Sequence, residues 1–556
     1  MRSKRVESKG VSVRAISGTH VVFLAFDLSE KARKGCLGFA IKRRDDTEDE
    51  EFWLEGLKTF ETVDPAPGPG VKVSTRAHPV QGFQWADYSA KAGHAYRYEV
   101  TPMYGKPKEL APGAMVAVNI RTEPLDAATH GIYFNRGAVA SQEYARRFQN
   151  RKPSDVADGS AHRWLSRGLE EALIAFVKRA KGKSYALRAA VYEFQWLPVL
   201  AAFKEAVDAG VDVKVIYDAV PKETGPVKKN KKAIKDAGLT KRCIPRTDGS
   251  LMHNKFIVLL KNGKPVSVWT GSTNITENGI FGHLNVGHSV ASPKLASRFL
   301  DYWEQLAQDP ATAELKDWAA ENDPLPDEGD DAEDGVRVLF SPHRGLQALR
   351  WYARLAGATD VPIFITLAFG MNDVFKTVYR ELDDILRVAL LEKPGNGQGL
   401  AQGRIDVQAI RNLPNVLVAL GHHINANRFD RWLEEIDRIK STVNVRWVHT
   451  KFLLIDPLGS DPVILTGSAN FSDASTDTNE ENMLVIRGDT RVADIYFTEF
   501  LRIYTHHAFR ESLTFSRKPV EDWKPQYLKA SAAEWQKPYF TKGNEHYLRR
   551  LYYVGR

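Results

Sequence analysis

Cysteine is nearly missing from this chain, with only Cys36 and Cys243 among 556 residues. The two lie far apart and match no CxxC or zinc-ligand spacing, which excludes a disulfide scaffold and a thiolate metal site and suits a reducing compartment. Long apolar runs are also missing: no stretch approaches the roughly 20 residues that a membrane span needs. The opening residues, Met1-Arg-Ser-Lys-Arg-Val-Glu-Ser-Lys-Gly, are basic but have no apolar segment behind them. No secretory signal is therefore expected, and a cytoplasmic location is the default. Nor does one sign of charge dominate, since 77 Lys and Arg face 69 Asp and Glu for a net charge of +8. That balance favours polyanionic partners without deciding on one.

What the chain does have is enough apolar material, 43% of residues with 10% aromatic, to pack several cores. At about 150 residues per domain, the length implies three or four units. Residues 1–125 alternate short apolar and polar runs with turn residues between them, as in Val21-Val-Phe-Leu-Ala-Phe and Ala95-Tyr-Arg-Tyr-Glu-Val. This reads as a β-rich unit resembling a fibronectin type III or immunoglobulin-like sandwich. From His130 the pattern becomes α/β, with an amphipathic helix from Trp164, a strand from Leu187, a helix from Pro198 to Ala209 and a strand from Val211. Residues 322–335 form an acidic Pro- and Gly-containing stretch expected to link two halves, with nothing to pack. The same rhythm resumes over 336–515, with strands at Val336, Val361 and Val416 and helices through Trp351, from Asp373 and from Arg428. Residues 516–556 form a C-terminal extension bearing Trp523, Tyr527, Trp535, Tyr539, Tyr547, Tyr552 and Tyr553.

Two segments of the α/β region can be laid over each other. One reads His253-Asn-Lys-Phe-Ile-Val-Leu-Leu and then Val268-Trp-Thr-Gly-Ser-Thr-Asn. The other reads His449-Thr-Lys-Phe-Leu-Leu-Ile-Asp and then Ile464-Leu-Thr-Gly-Ser-Ala-Asn. Alternation along a strand puts His and Lys on one face. Phosphodiester cleavage needs a nucleophile, a proton donor for the leaving oxygen and donors for the non-bridging oxygens. His253 and His449 supply the first two; Lys255, Lys451, Asn274 and Asn470 supply the donors, with Ser272 and Ser468 to position them. This donor set calls for no metal and no cofactor.

The paired motif resembles the phospholipase D superfamily, whose signature is HxK, an Asp five residues beyond the Lys, and GSxN, present twice per active site. The resemblance covers roughly residues 130–515. It implies a duplicated α/β/α sandwich whose two halves build one active site complete in a single chain, here preceded by the β-sandwich-like unit. The second copy carries Asp456 at the signature carboxylate, and the first carries Leu260. A family NxE element fits Asn479-Glu-Glu, making Glu481 the carboxylate that orients the imidazole of the other half, His253. Aligned the same way, Asn285-Val-Gly puts Gly287 where a second acid would stand, so His449 has no carboxylate unless another group substitutes. By family analogy His253 is the nucleophile and His449 the general acid and then base.

Several other residues have two readings each. His422 and His423 could line the cleft or cap a strand end, and His288 could orient a catalytic residue or be structural. Tyr192, Glu193, Phe194 and Asp218 sit at expected strand ends, where Glu193 could reach the site or be a buried hydrogen-bonding group. Trp196 and Trp269 could stack bases or fill core. Lys222, Lys228, Lys229, Lys231, Lys232, Lys235, Lys241, Arg242 and Arg246 crowd the segment before His253, as a phosphate-steering surface or a solvated face. That segment favours a nuclease or other nucleic-acid phosphodiesterase over a phospholipase D or phosphatidyl transferase. A non-catalytic phosphate-binding module is the third reading. The β-rich unit is expected to dock a partner or bulky substrate.

Overall fold

The computed structural model describes residues 1–65, 71–127, 129–137, 142–149, 151–221, 225–395, 399–421, 447–514 and 527–556. Lys222, His422, His423, Trp523 and the helix expected from Arg428 lie outside them. At the N-terminus two antiparallel sheets face each other. One contains Val11–Ser17 and Val22–Leu28, the other Gly38–Asp45 and Ala95–Lys106. Alternation sends Val13, Leu24, Phe39, Ile41, Tyr96, Tyr98 and Val100 into one shared core.

Each α/β half is built on a seven-stranded sheet. The first runs in the order 130–134, 286–290, 264–271, 255–261, 185–191, 212–218, 243–246, and the second in the order 335–341, 481–487, 463–467, 452–455, 363–367, 387–391, 416–420. In both, the first four pairings are antiparallel and the last two parallel. Duplication is thus a fact of topology as well as of motif. The helices Pro293–Leu306 and Thr490–Thr514 belong to one core with residues of both sheets, including Phe256, Val286, Phe452 and Leu484. The outer faces pack against Leu169–Lys178 and Leu197–Asp208 in the first half. In the second half they pack against Gln347–Gly357 and Leu400–Arg411.

Three local expectations are corrected. The helix from Trp164 breaks in two because Arg167 and Gly168 take left-handed backbone, at φ 49° and 94°. The acidic stretch does pack: Asp323 is buried and accepts from the Phe340 amide at 2.6 Å, Ala332 and Leu325 join the second core, and Trp351 Nε1 donates to the Asp330 carbonyl at 2.7 Å. Its apolar residues are few but spaced to touch the sheet's outer layer, which composition alone hides. The C-terminal extension folds into Ala532–Phe540 and Glu545–Val554. Trp535 stacks on Phe83 and donates from Nε1 to the Cys36 carbonyl at 2.9 Å, while Tyr553 meets both Phe23 and Phe497. The extension therefore joins the β-sandwich to the second half.

Candidate active site

Each HxK segment enters its sheet where the other half begins. Met252 bridges to Glu480 and Val448 bridges to Leu284, two equivalent backbone contacts across the junction. His253 N donates to the Glu480 carbonyl at 3.0 Å and His449 N to the Leu284 carbonyl at 3.2 Å. Asp218 Oδ1 accepts from Met252 N at 3.1 Å, steadying the residue before His253. The glycine of each GSxN is required by close approach. A Cβ on Gly271 would lie 2.3 Å from the Val286 carbonyl oxygen, and one on Gly467 would lie 2.2 Å from that of Asn482. Those carbonyls accept from Ser272 N and Ser468 N, both at 3.0 Å.

The two imidazoles are oriented through Nδ1, each by the opposite half. His253 Nδ1 lies 2.7 Å from Glu481 Oε2, and Ser475 Oγ donates to Glu481 Oε1 at 2.9 Å. His449 Nδ1 lies 2.9 Å from Asn285 Oδ1. Asn285 Nδ2 donates to the Gly279 carbonyl and Ser272 Oγ to Asn285 Oδ1, both at 2.7 Å, so the amide presents its oxygen to His449. An amide oxygen only accepts; His449 therefore carries its proton on Nδ1 and turns Nε2 away. A carboxylate imposes the same tautomer on His253.

This corrects the alignment that set Gly287 opposite Glu481. Strand pairing matches Gly271↔Gly287 with Gly467↔Met483, so Glu481 corresponds to Asn285, two residues earlier. Gly287 is a packing glycine: a Cβ there would meet the Trp269 ring at 2.2 Å. Equal spacing from each GSxN to its orienting residue was the signal in the sequence.

Lys255 and Lys451 are buried, and their Nζ atoms donate to the carbonyls of His253 and His449 at 2.5 and 2.6 Å. Asn274, Asn470, His253 and His449 line a common cavity of about 650 Å³ with Tyr192, Phe369 and Phe471. Ser272 and Ser468 are wholly buried and brace the strand that follows. Asp456 is not brought to the site. It stands at the far end of its strand, at φ 44°, where Oδ1 accepts from Tyr552 Oη at 3.0 Å. Its counterpart Leu260 is buried in the shared core, which explains how the first copy lacks the acid without any change at the cavity.

Burial lowers the proton affinity of both histidines. His253 falls to about 4 even with Glu481 opposing the shift, and His449 falls well below its usual value with Lys451 adding to the effect. Burial also brings Lys255 down to about 8 and Lys451 well below the ordinary lysine range. A third histidine, His283, not anticipated from the sequence, lies with its ring centroid 5.7 Å from that of His449.

A family model described as "Cardiolipin synthase, PLD-like domain" matches residues 173–307 and 406–504, spanning both motifs. The chain belongs to the phospholipase D superfamily. It is accordingly a phosphodiesterase-type enzyme. No curated protein sequence matches it. Among solved structures, the phospholipase D family member Nuc from Salmonella typhimurium is 26% identical, over 25% of this chain and 87% of its own, with a TM-score of 0.21. The phosphatidylserine synthase of Haemophilus influenzae Rd KW20 is 11% identical over 62% and 85%, at 0.41. The polyphosphate kinase of Porphyromonas gingivalis is 10% identical over 56% of this chain, at 0.35, and the match spans only 42% of its length.

The remaining candidates of this phospholipase D-like chain resolve as follows. Trp269 is core, stacked on Tyr133. Trp196 donates to Glu170 at 2.6 Å, and His288 is buried against His130 and Tyr496. Phe194 is buried, whereas Glu193 accepts from Asn274 Nδ2. Arg246 is no surface cation; it is wholly buried on Glu480 and Asp309. Lys228, Lys229, Lys231, Lys232, Lys235, Lys241 and Arg242 are exposed.

Proposed function

We propose that the chain hydrolyses nucleic-acid phosphodiesters through a phosphohistidine on His253, without a metal. The observation that carries this reading is the pair of imidazoles held through Nδ1 at one cavity, each with Nε2 left for chemistry. The neutral Nε2 of His253 attacks phosphorus, Lys255, Lys451, Asn274 and Asn470 hold the non-bridging oxygens, and the P–O bond to the leaving group breaks. The anionic substrate offsets the lysine charges that depress His449, so that His449 takes up a proton and delivers it to the leaving oxygen. Water then gives its proton back to His449 as its oxygen attacks phosphorus and the P–N bond breaks. Asp456 serves as an anchor for the C-terminal helix, outside this chemistry.

The substrate class rests on the exposed lysines. Asn230 of helix Val227–Asp236 accepts from Phe194 N at 3.0 Å and donates to the Tyr192 carbonyl at 2.9 Å, so the lysine-rich helix is fastened to the strand end that enters the cavity. Cations there suit a polyanionic strand. Transfer or hydrolysis of phospholipid head groups is the second reading, favoured by the apolar wall of Phe369, Met371 and Phe471.

The test incubates the protein in EDTA with plasmid DNA, single-stranded RNA or phosphatidylcholine vesicles, beside a His253→Ala control. Cleavage of nucleic acid and a phosphoryl group trapped on His253 are expected. Unchanged turnover in the control, or a covalent adduct on His449, overturns the mechanism; turnover of the vesicles alone overturns the substrate.

A further inference from the structure

The two asparagines of the phosphoryl cradle differ in what stands behind them. Asn274 Nδ2 donates to Glu193 Oε2. Ala190 pairs with Phe256 as Thr366 pairs with Phe452, so the position corresponding to Glu193 in the second half is Phe369. One side of the cradle is therefore backed by a carboxylate and the other by a benzyl ring that lines the cavity with Asn470. A carboxylate only accepts hydrogen bonds, so it turns the Asn274 amide nitrogen toward itself and leaves that nitrogen's second N–H for the ligand.

We propose that Glu193 is a specificity-determining residue of this cradle: it fixes the Asn274 amide and, through its charge, admits the single negative charge of a phosphodiester while opposing the second charge of a phosphomonoester or inorganic phosphate. The proposal rests on the phosphodiesterase reading of the site. Lys255 and Lys451 bring two positive charges and Glu481 one negative, so the set neutralises a monoanion, and a further charge must then be placed beside Glu193, a carboxylate that water screens poorly. The groups facing Glu193 are Asn274, Lys255 and Lys229, with Tyr192 next to it in the chain. Burial pushes its carboxyl upward in pKa, and Lys255, the Asn274 amide and Lys229 oppose the shift. Hydrolysis converts a monoanionic diester into a monoester that ionises twice, so Glu193 also repels the product it helps to make.

The test measures inorganic phosphate binding by calorimetry at pH 7.5, and turnover of bis(4-nitrophenyl) phosphate, in the wild type, Glu193→Gln and Glu193→Asp. Glutamine should tighten phosphate binding by about tenfold while lowering kcat/KM for the diester, because the charge is removed and the amide of Asn274 loses its fixed acceptor. Aspartate should keep the weak phosphate binding. Phosphate affinity unchanged in Glu193→Gln, or a diester KM that tightens in step with it, overturns the proposal. Calorimetry with phosphate needs no turnover, so a wild type inert toward every diester sinks the catalytic reading alone.

Discussion

Glu481 and Asn285 hold corresponding places but differ in charge, and in the proposed mechanism that difference divides the labour of the two histidines. There a carboxylate would stabilise charge that builds on His253 as its Nε2 bonds to phosphorus, while an amide holds His449 in one tautomer without raising its basicity. Asn285→Ala should lower kcat on the order of a hundredfold, the contribution of one positioned acid and base, with little change in KM in steady-state assays. Asn285→Asp should move the alkaline limb of the pH profile upward, since a carboxylate raises the proton affinity of His449, the general acid. Lys255, at about 8, carries its charge below that value and loses it above, so KM should climb as pH passes upward through 8. A pH-independent KM between 7 and 9 would contradict its role as a clamp. The HxK and GSxN residues were legible because the motif repeats; Asn285 was not, because an amide in an acid's place matches no carboxylate pattern. Glu193 was readable only as a strand-end residue, since its link to Asn274 depends on how two distant strands finish.

Among the elements, the junction between halves depends on charges that never reach solvent. Arg246 is wholly buried and its guanidinium meets Glu480, the neighbour of Glu481, at 2.7 Å. Arg246→Ala should destabilise the protein by about 3–5 kcal/mol, measured by urea unfolding, because Glu480 is left charged and unpaired. In sequence Arg246 was indistinguishable from the lysines before it; burial separates them. Reversal of Lys228, Lys229, Lys231 and Lys232 to Glu should leave stability nearly unchanged, weaken binding of a DNA oligonucleotide and flatten the dependence of log K on log salt. The strands from Leu187, Val211, Val336, Val361 and Val416 followed from hydrophobic periodicity, but strand Arg387–Leu391 and helix Leu400–Arg411 did not, and the break at Gly168 and the packing of 322–335 turn on backbone geometry and a few well-placed contacts.

For the molecule as a whole, the role of the C-terminal extension was hidden because its partners lie far off in sequence, Asp456 about a hundred positions away and Phe83, Cys36 and Phe23 several hundred. Buried histidines set the acid limit of the fold. Burial lowers His20 to about 3 and His253, His283 and His506 to about 4, and holds His288, His449 and His507 well below their usual value. A folded-state pKa below the unfolded value of about 6.5 gives stability that is full above that value and is lost as pH falls toward the folded one. The melting temperature should therefore drop steeply between pH 6.5 and 4, and a flat profile there would show that these rings are not neutral and buried.

A nucleic-acid strand has a direction, and a site with true twofold symmetry would accept it either way round. Cleavage would then leave phosphate on the 3′ side of some breaks and on the 5′ side of others. If nucleic acid is the substrate, as proposed, a carboxylate behind one histidine and an amide behind the other should favour one attack, so that the strand is read in one sense. Digestion of an oligonucleotide labelled at either end should yield termini of a single kind, and a mixture of both would mean that Asn285 and Glu481 are equivalent in practice.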